Sequence, residues 1–318
     1  MIEKSIPGSP ISLPVVVVLL IAVSSASFFL FSCDDRSCWK ETIIDGSTYF
    51  RGIDGFSSKR VYARCSQSGL YQYNGMTWNL MKDSPGGSSI LAFSENNIFA
   101  GGYHFDGTSW THVLQGPFYI EDFWAAAEDD IFAVGFERKS PPDYAKSRIF
   151  HYDGVEWTEM ENNFKTLLHG VWGSSSSDVF AVGPEKYDDS SDDGTIYHYD
   201  GESWSVMLDG APSGLYGVWG SSANDVFVGG GRLILHYDGI EWSEMENPND
   251  CYPSILWGAS STEVYGTGGR ICYYNGSDWI ALGESIDGSY EALWGSSATD
   301  VFAVGLVVVD FNPVGIIA

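Results

Sequence analysis

The stretch HGVWGSSSSDVFAVG (His169–Gly183) recurs almost unchanged as YGVWGSSANDVFVGG (Tyr216–Gly230). Further copies of the same motif, some of them diverged, end at Cys65, Gly102, Gly135, Gly268 and Gly305. A sequence that resembles itself at a period of about 20 to 50 residues is typical of a repeat architecture, in which each copy is one supersecondary unit. The chain therefore contains seven copies of a single structural unit.

A second motif follows each of the first six copies and places an aromatic ring five residues before a Trp. Its six forms are YQYNGMTW, YHFDGTSW, FHYDGVEW, YHYDGESW, LHYDGIEW and CYYNGSDW. The central Asn-Gly and Asp-Gly pairs favour tight hairpin turns, because these residues adopt a positive φ angle at little cost. Around these turns each copy has four short segments rich in Val, Ile, Phe, Tyr and Trp, and this composition predicts β-strands.

Four antiparallel strands in a repeat of roughly forty residues form one blade of a β-propeller. We therefore predict an all-β fold, a seven-bladed β-propeller of four-stranded antiparallel blades. The seventh copy has only three strand segments, YEALWGSS, DVFAVG and LVVVDFN, and lacks the final Trp strand. Trp39 precedes Asp54 by 15 residues, the spacing that also separates Trp279 from Trp294. The N-terminal strand is therefore expected to complete blade seven in a three-plus-one closure, which avoids an open sheet edge.

Two domains are predicted, a signal or membrane anchor over residues 1–33 and the propeller over residues 34–318. The blades are expected near residues 47–82, 83–113, 114–160, 161–207, 208–245, 246–282, and 283–318 together with 38–44.

The N-terminal stretch SLPVVVVLLIAVSSASFFLFS (12–32) is almost wholly apolar and follows Lys4, as in an export signal. It ends in LFSC at Cys33, and a bacterial lipoprotein signal would place the lipid-carrying Cys there. An uncleaved membrane anchor and ordinary cleavage near Ala26 are the alternatives. All three deliver the propeller outside the cytoplasm, so we predict a membrane-anchored protein of the bacterial cell envelope.

Acidic residues outnumber basic ones by 42 to 16, and the formal net charge is −26 at pH 7. A chain of this charge repels polyanions, so nucleic acid is excluded as a partner. No motif indicates a cofactor. We expect a monomer whose partner is an unknown protein or glycan at the cell envelope, with the membrane contacted through the N-terminal anchor.

Most candidate catalytic side chains recur at one position of the repeat, and a recurring residue is first of all structural. The His before the aromatic ring is one such residue, at positions His104, His151, His198 and His236. Two recurring Asp positions, in the hairpin and at the start of the second strand, predict turn carboxylates. No His or Cys spacing is typical of a metal site, and no Ser or Cys nucleophile motif lies beside the remaining His residues. We therefore predict neither catalytic residues nor a metal site.

Two copies carry insertions between their second and third strands, FERKSPPDYAKSR (136–148) and PEKYDDSSDDGT (184–195). Equivalent loops of adjacent blades emerge side by side, and function on a rigid β scaffold is usually carried by loops. The candidate binding loops are therefore Arg138, Lys139, Lys146 and Arg148 with Asp188, Asp189, Asp192 and Asp193. The alternatives are two insertions that only neutralise each other, or a calcium site in DDSSDDG, since carboxylates are hard oxygen ligands.

Five Cys in an exported chain indicate an oxidising compartment. Cys251 and Cys272 map to the same face of the sixth blade, so a disulfide between them is one prediction. Two small buried hydrophobic side chains are the alternative.

The array VWGSSxxDVFAVG…HYDGxxW, over residues 39–312, resembles a group of exported bacterial repeat proteins of the broad Kelch, WD and sialidase-like kind. The resemblance implies a β-propeller at the cell envelope and no particular reaction. The expected function is that of an envelope-anchored, non-enzymatic binding or protein-interaction module. The alternative is a carbohydrate-active propeller, either a lectin or a sialidase-like glycosidase.

Overall fold

A computed structural model describes residues 42–44, 49–138, 145–160, 164–184, 193–247, 251–282, 288–309 and 312–317. Every regular element within these ranges is a β-strand. None of the described residues belongs to a helix that is long and apolar enough to cross a membrane. The predicted anchor over residues 1–33 lies outside the described ranges, and so does Trp39.

The described strands form four-stranded antiparallel sheets. The first strand, β1 (Thr42–Ile44), is followed by six blades, each made of four consecutive strands. The first two blades are β2 (Phe50–Ser57), β3 (Arg60–Cys65), β4 (Gly69–Tyr73) and β5 (Trp78–Leu80), then β6 (Ile90–Ser94), β7 (Asn97–Ala100), β8 (Tyr103–Phe105) and β9 (Trp110–His112). The third and fourth are β10 (Phe118–Ala127), β11 (Asp130–Arg138), β12 (Ala145–Tyr152) and β13 (Trp157–Glu159), then β14 (Gly170–Ser175), β15 (Asp178–Pro184), β16 (Gly194–Tyr199) and β17 (Trp204–Ala211). The fifth and sixth are β18 (Gly217–Ser222), β19 (Asp225–Gly230), β20 (Leu233–Tyr237) and β21 (Trp242–Glu244), then β22 (Ile255–Ser260), β23 (Glu263–Thr267), β24 (Ile271–Tyr274) and β25 (Trp279–Leu282).

One further four-stranded sheet, which we call the composite sheet, is built from both ends of the chain. It contains β26 (Gly288–Ser297), β27 (Asp300–Val309) and β28 (Asn312–Ile317), with β1 as its outer strand. Thr42 lies opposite Ile317, and Ile44 lies opposite Gly315.

The prediction of a seven-bladed β-propeller is therefore corrected: the structure has six blades of four consecutive strands each. Six blades share one construction, and the composite sheet departs from it. The segment LVVVDFN does not form a third strand as expected, because residues 306–309 continue β27 and β28 begins only at Asn312. The physical reason is local: Leu306–Val309 contains no turn-forming residue, whereas Asp310, Asn312 and Pro313 favour a turn.

The apolar core is divided among the interfaces between neighbouring sheets. Phe302 of β27, for example, belongs to the same buried cluster as Val61 and Tyr73 of the first blade. The composite sheet thus packs against the first blade, and the sheets follow one another around a closed ring.

A Trp-Gly contact between adjacent sheets repeats around this ring. The ring of one Trp lies on the Gly of the following sheet in the pairs Trp124–Gly173, Trp172–Gly220, Trp219–Gly258 and Trp257–Gly295. A Cβ atom on Gly220 would lie 2.6 Å from the Trp172 ring, closer than any real Cβ contact. The recurring WG dipeptide is therefore explained by packing between sheets.

We expect Gly220→Ala to lower the free energy of unfolding by about 1–3 kcal/mol, because an added methyl in a packed interface forces the Trp172 ring to shift. Gly269→Ala is the matched control, since nothing lies within 4 Å of a Cβ atom at that position. Urea denaturation followed by Trp fluorescence measures both variants. Equal free energies of unfolding for the two variants would show that the Trp172–Gly220 contact does not stabilise the propeller.

Candidate binding site

The two insertions extend the hairpins of the third and fourth blades. In the third blade, β11 ends at Arg138 and β12 begins at Ala145; in the fourth, β15 ends at Pro184 and β16 begins at Gly194. Several of the candidate residues lie outside the described ranges: Lys139, Asp188, Asp189 and Asp192, together with the side chain of Arg138. Most of the proposed calcium segment lies outside them too, so that hypothesis and the binding role of these residues stay predictions.

Arg148 is held by acidic residues of its own blade. Its guanidinium forms ion pairs with Glu137 and with Glu159, the latter at 2.5 Å. The hydrogen bonds that the guanidinium donates to these two carboxylates raise the pKa of Arg148 above its usual value, so the side chain stays charged. The charge of Arg148 is thus matched within the third blade.

A groove of about 800 Å³ separates the outer parts of the third and fourth blades. It is lined by Lys146, Glu159, Met160, Phe164, Tyr197, Tyr199, Glu202, Ser203, Trp204 and Val206. We call it the blade 3–4 groove. Among the residues that the sequence nominated, Lys146 lies in this groove. The rest of the lining comes from strands and from the connection between the two blades.

Four aromatic rings form the floor of the blade 3–4 groove. Trp204 lies 5.3 Å from Tyr199 between ring centroids, and Phe164 meets Trp204 edge-on at 5.7 Å. Phe164 also meets Tyr197 edge-on at 4.5 Å. Aromatic pairs in these geometries are attractive, and large rings with one face open to a groove provide apolar contact area without extra flexibility.

The outer strand beside this groove differs from its counterparts. β17 has eight residues, whereas the outer strands of the other five blades have three or four. Its pairing with β16 shifts register around Ile196, which is typical of a β-bulge. Val206 on β17 lines the groove and remains 56% exposed. The fourth blade therefore offers an extended, partly apolar edge that the other blades lack.

Sequence reasoning missed this groove for an identifiable reason. The segment WSVMLDGA has more strand-forming residues after its Trp than the other copies have, and Phe164 has no counterpart in most of them. Those two departures from the repeat were the available signals. These signals do not predict a groove, however, because the gap between two blades depends on how neighbouring sheets pack.

The recurring His residues form a structural ladder. The Nε2 atoms of His151, His198 and His236 lie 2.8, 2.6 and 2.7 Å from the Asp that begins the second strand of the same blade. In the fourth blade that residue, Asp178, also accepts a hydrogen bond from Ser174. The carboxylate therefore lies between the hydroxyl and the imidazole, whereas a nucleophilic triad needs the imidazole in the middle. These contacts are those expected of His residues with a structural role in the repeat.

Two of the arginines that a sialidase-like cluster could use lie against aromatic rings of their own surroundings. Arg51 stacks on Tyr49, with its guanidinium 4.8 Å from the ring centroid, and Arg232 lies over Tyr252 at 5.5 Å. These two side chains belong to different blades and no described contact joins them. Within the described residues no group of three or more His, Cys, Asp or Glu side chains is arranged to hold a metal ion.

Two partly buried carboxyl groups bridge neighbouring blades. Asp54 accepts a hydrogen bond from the Ala92 amide at 2.6 Å, and Asp122 accepts one from the Val171 amide at 3.0 Å. Burial raises the pKa of each carboxyl to about 7, since desolvation penalises the charged form. In the sequence, Asp54 was noted only because it occupies the position of the repeated Trp in the first copy. Asp122 was not singled out.

Cys251 and Cys272 form a disulfide in the structure, with their Cα atoms 5.9 Å apart. Both residues are buried in the apolar cluster that also contains the fully buried Trp279. The bond joins the start of the sixth blade to its third strand.

Closed ring packing of radiating four-stranded antiparallel sheets defines this chain as a β-propeller. No family model matches the chain, and no curated protein matches it.

Solved structures share the fold. YCF48 bound to a D1 peptide is 14% identical with a TM-score of 0.61, and the match covers 88% of this chain and 95% of that one. The WD40 β-propeller domain of Doa1 is 9% identical with a TM-score of 0.64, over 87% and 94%. Virginiamycin B lyase from Staphylococcus aureus is 11% identical with a TM-score of 0.59, over 88% and 98%.

Identities this low show the fold alone. One of the three structures holds a peptide and another is a lyase, so the fold by itself neither assigns catalysis nor excludes it. Propellers commonly serve as protein-interaction modules, and the specific resemblance to exported bacterial repeat proteins stays a prediction.

Proposed function

We propose that this chain is a non-enzymatic, envelope-anchored β-propeller that binds an extended segment of a partner protein in the blade 3–4 groove. The observation that carries the proposal is the aromatic floor of that groove beside the long outer strand β17. Peptides are bound in extended form where a strand edge and pockets for side chains lie together. The peptide held by the YCF48 propeller supports this reading by analogy of fold.

The chemistry of the groove suits a protein segment. The few residues that dominate binding energy at protein interfaces are enriched in Trp and Tyr, and here Trp204, Tyr197 and Tyr199 lie together with Phe164. Polar side chains surround them at the rim, as at ordinary interfaces. A lectin would also use exposed rings, so a glycan array is the experiment that separates the carbohydrate alternative from the protein partner.

We expect Val206→Asp to weaken binding at least tenfold for a peptide selected on the parent protein from a random library of about 12 residues. The reason is that the new carboxylate places an unpaired charge against apolar partner surface. Ile240→Asp is the matched control, since Ile240 is 86% exposed on the hairpin of the fifth blade. Isothermal titration measures both. Equal affinity for the two variants would place the partner elsewhere on the propeller.

Anchoring at Cys33 is part of the proposal and rests on the LFSC sequence. Cys33→Ala should abolish labelling by a fatty-acid analogue and leave the precursor unprocessed. A mature lipoprotein carries several acyl chains, each worth about 0.8 kcal/mol per buried CH₂, so the parent should sediment with membranes. Unchanged acyl labelling of the variant would refute lipidation at this residue.

A further inference from the structure

We propose that the partner segment joins the fourth blade as a fifth strand, hydrogen-bonded to the outer edge of β17, with apolar residues at alternate positions and basic residues at both ends. The inference rests on the proposed function and adds how the segment is held and which sequences fit. β17 is the outermost strand of its sheet, and no described strand covers its outer side. A strand that adds to such an edge gains affinity from main-chain hydrogen bonds.

The pairing of β17 with β16 determines which backbone groups point outward. Asp200 donates its amide to the Ser203 carbonyl, and Val206 lies opposite Tyr197. Opposite residues of an antiparallel pair alternate between hydrogen-bonded and non-hydrogen-bonded positions, so Ser205 bonds to β16 whereas Val206 does not. The amide and the carbonyl of Val206 therefore face the side of β17 on which no described strand lies.

The side chains of this edge differ from those of the neighbouring blades. From its outer Trp the third blade reads WTEME and the fifth reads WSEME, whereas the fourth reads WSVML. Val206 and Leu208 thus replace the two Glu that each neighbour has. Charged residues on an outer strand protect it against pairing with another chain, and a long apolar edge invites such pairing. β17 is longer than its neighbours and lacks this protection.

Val206 defines the apolar part of the segment. It lines the blade 3–4 groove together with Trp204 and is exposed. A strand paired with β17 presents every second side chain to the groove face. Cross-strand pairs between β-branched and aromatic side chains are favourable. The segment should therefore have β-branched or aromatic residues at alternate positions.

The charge of the segment follows from carboxylates near both ends of β17. Glu202 and Asp209 are exposed, and neither forms an ion pair with a described side chain. The third blade does not offset them, because Lys146 lies opposite Glu137 and Arg148 is bonded to glutamates of its own blade. The edge of β17 is thus acidic at both ends, and basic residues of a partner complement it.

The same charges disfavour a second copy of this chain as the occupant. Antiparallel pairing of two β17 strands around Val206 would bring Glu202 of one copy towards Asp209 of the other. Like charges opposite each other destabilise a strand pair. The formal net charge of −26 adds repulsion between two copies. A partner segment with basic ends meets neither cost.

The first test uses peptides selected on the parent protein from a random library of about 12 residues. Each backbone nitrogen of a selected peptide is methylated in turn, which removes one hydrogen-bond donor and leaves the side chains as they are. Binding should weaken about tenfold at every second position and change little at the positions between them. The selected sequences should also contain more Lys and Arg than Asp and Glu.

The second test measures amide hydrogen exchange by NMR on the full chain. A saturating amount of the selected peptide should slow exchange of the Val206 amide at least tenfold, because the peptide supplies an acceptor for it. Glu244 is the matched control, since it lies opposite Leu235 at the equivalent place in β21. Its amide should exchange at the same rate with and without peptide.

The outcomes separate the inference from the proposed function. Peptides that depend on Val206 but show neither alternating losses nor slower exchange would keep the groove as the binding site and overturn the fifth strand. Selected peptides with acidic ends would overturn the charge pattern. A dimer in sedimentation that Val206→Asp dissociates would make a second copy the occupant. Peptides insensitive to Val206→Asp, in a variant whose thermal unfolding matches the parent, would overturn both.

Discussion

At pH 8 a variant carrying Asp54→Asn and Asp122→Asn should be more stable than the parent protein, and the difference should shrink at pH 5. Each carboxyl is partly buried and bridges two blades through a backbone amide, at Ala92 and at Val171. An Asn side chain keeps an oxygen for the amide of the neighbouring blade and carries no charge to desolvate. Its NH₂ group faces the second amide that each carboxyl accepts, at Gly55 and at Phe123, and this contact offsets part of the gain.

The pH dependence follows from the raised pKa values. Desolvation raises each native pKa to about 7 from 3.8, and the neighbouring Asp122 and Glu121 charges add to the shift at Asp54 and at Asp122. The native state therefore binds protons more tightly than the unfolded chain, so stability falls as pH rises from about 4 to about 7. Each pKa unit is worth about 1.4 kcal/mol, so each Asn should gain roughly 3 kcal/mol more at pH 8 than at pH 5.

Urea unfolding at the two pH values measures this difference. Asp106→Asn is the control, because Asp106 is an exposed turn carboxylate whose pKa is lowered to about 2 by hydrogen bonds from Thr108 and Ser109. That substitution should bring no gain at pH 8. A double variant that follows the parent at both pH values would mean that Asp54 and Asp122 are charged and solvated in the native state.

Removal of the disulfide with Cys251→Ala and Cys272→Ala should lower the free energy of unfolding by about 3 kcal/mol. The bond closes a loop with a sequence separation of 21 residues, and opening it restores that much conformational freedom to the unfolded chain. Ala fits the buried positions without adding a polar atom.

A reductant provides the comparison for this prediction. Dithiothreitol in moderate urea should lower the unfolding midpoint of the parent and leave the double variant unaffected. Thiol labelling of the denatured parent should find Cys251 and Cys272 protected. Both thiols reacting freely in protein isolated from its host would contradict the bond and the oxidising compartment that the sequence predicts.

The repeat made most of the architecture predictable. Asp-Gly and Asn-Gly turns gave the hairpins after Tyr73, Tyr152 and Tyr199, because local turn chemistry decides such hairpins. The composite sheet was predicted less well. Its β27–β28 turn lies beyond the apolar run that the repeat spacing had assigned to a third strand, since strand propensity outweighed the spacing.

The candidate site was predictable only in part. The insertions were visible as breaks in the repeat and led to Lys146, but the groove itself depends on Phe164 and on β17, which come together through packing between blades. The burial of Asp54 and Asp122 likewise follows from the closed ring and has no local sequence signal. The repeat thus predicted the strands and hairpins that all blades have in common. The candidate site is formed by features that are not repeated, Phe164 and the long strand β17.

The most direct measurement is site-specific photo-crosslinking in the native host, with a benzophenone amino acid at Val206 and, separately, at Ile240. Both positions are exposed, and only Val206 lies in the blade 3–4 groove. We expect Val206 to yield one discrete adduct that maps to a single short segment of one partner protein. We expect no such adduct from Ile240. Equal adducts from both positions, or none from Val206 when the partner is retained by the parent protein, would contradict the assignment of this groove as the binding site.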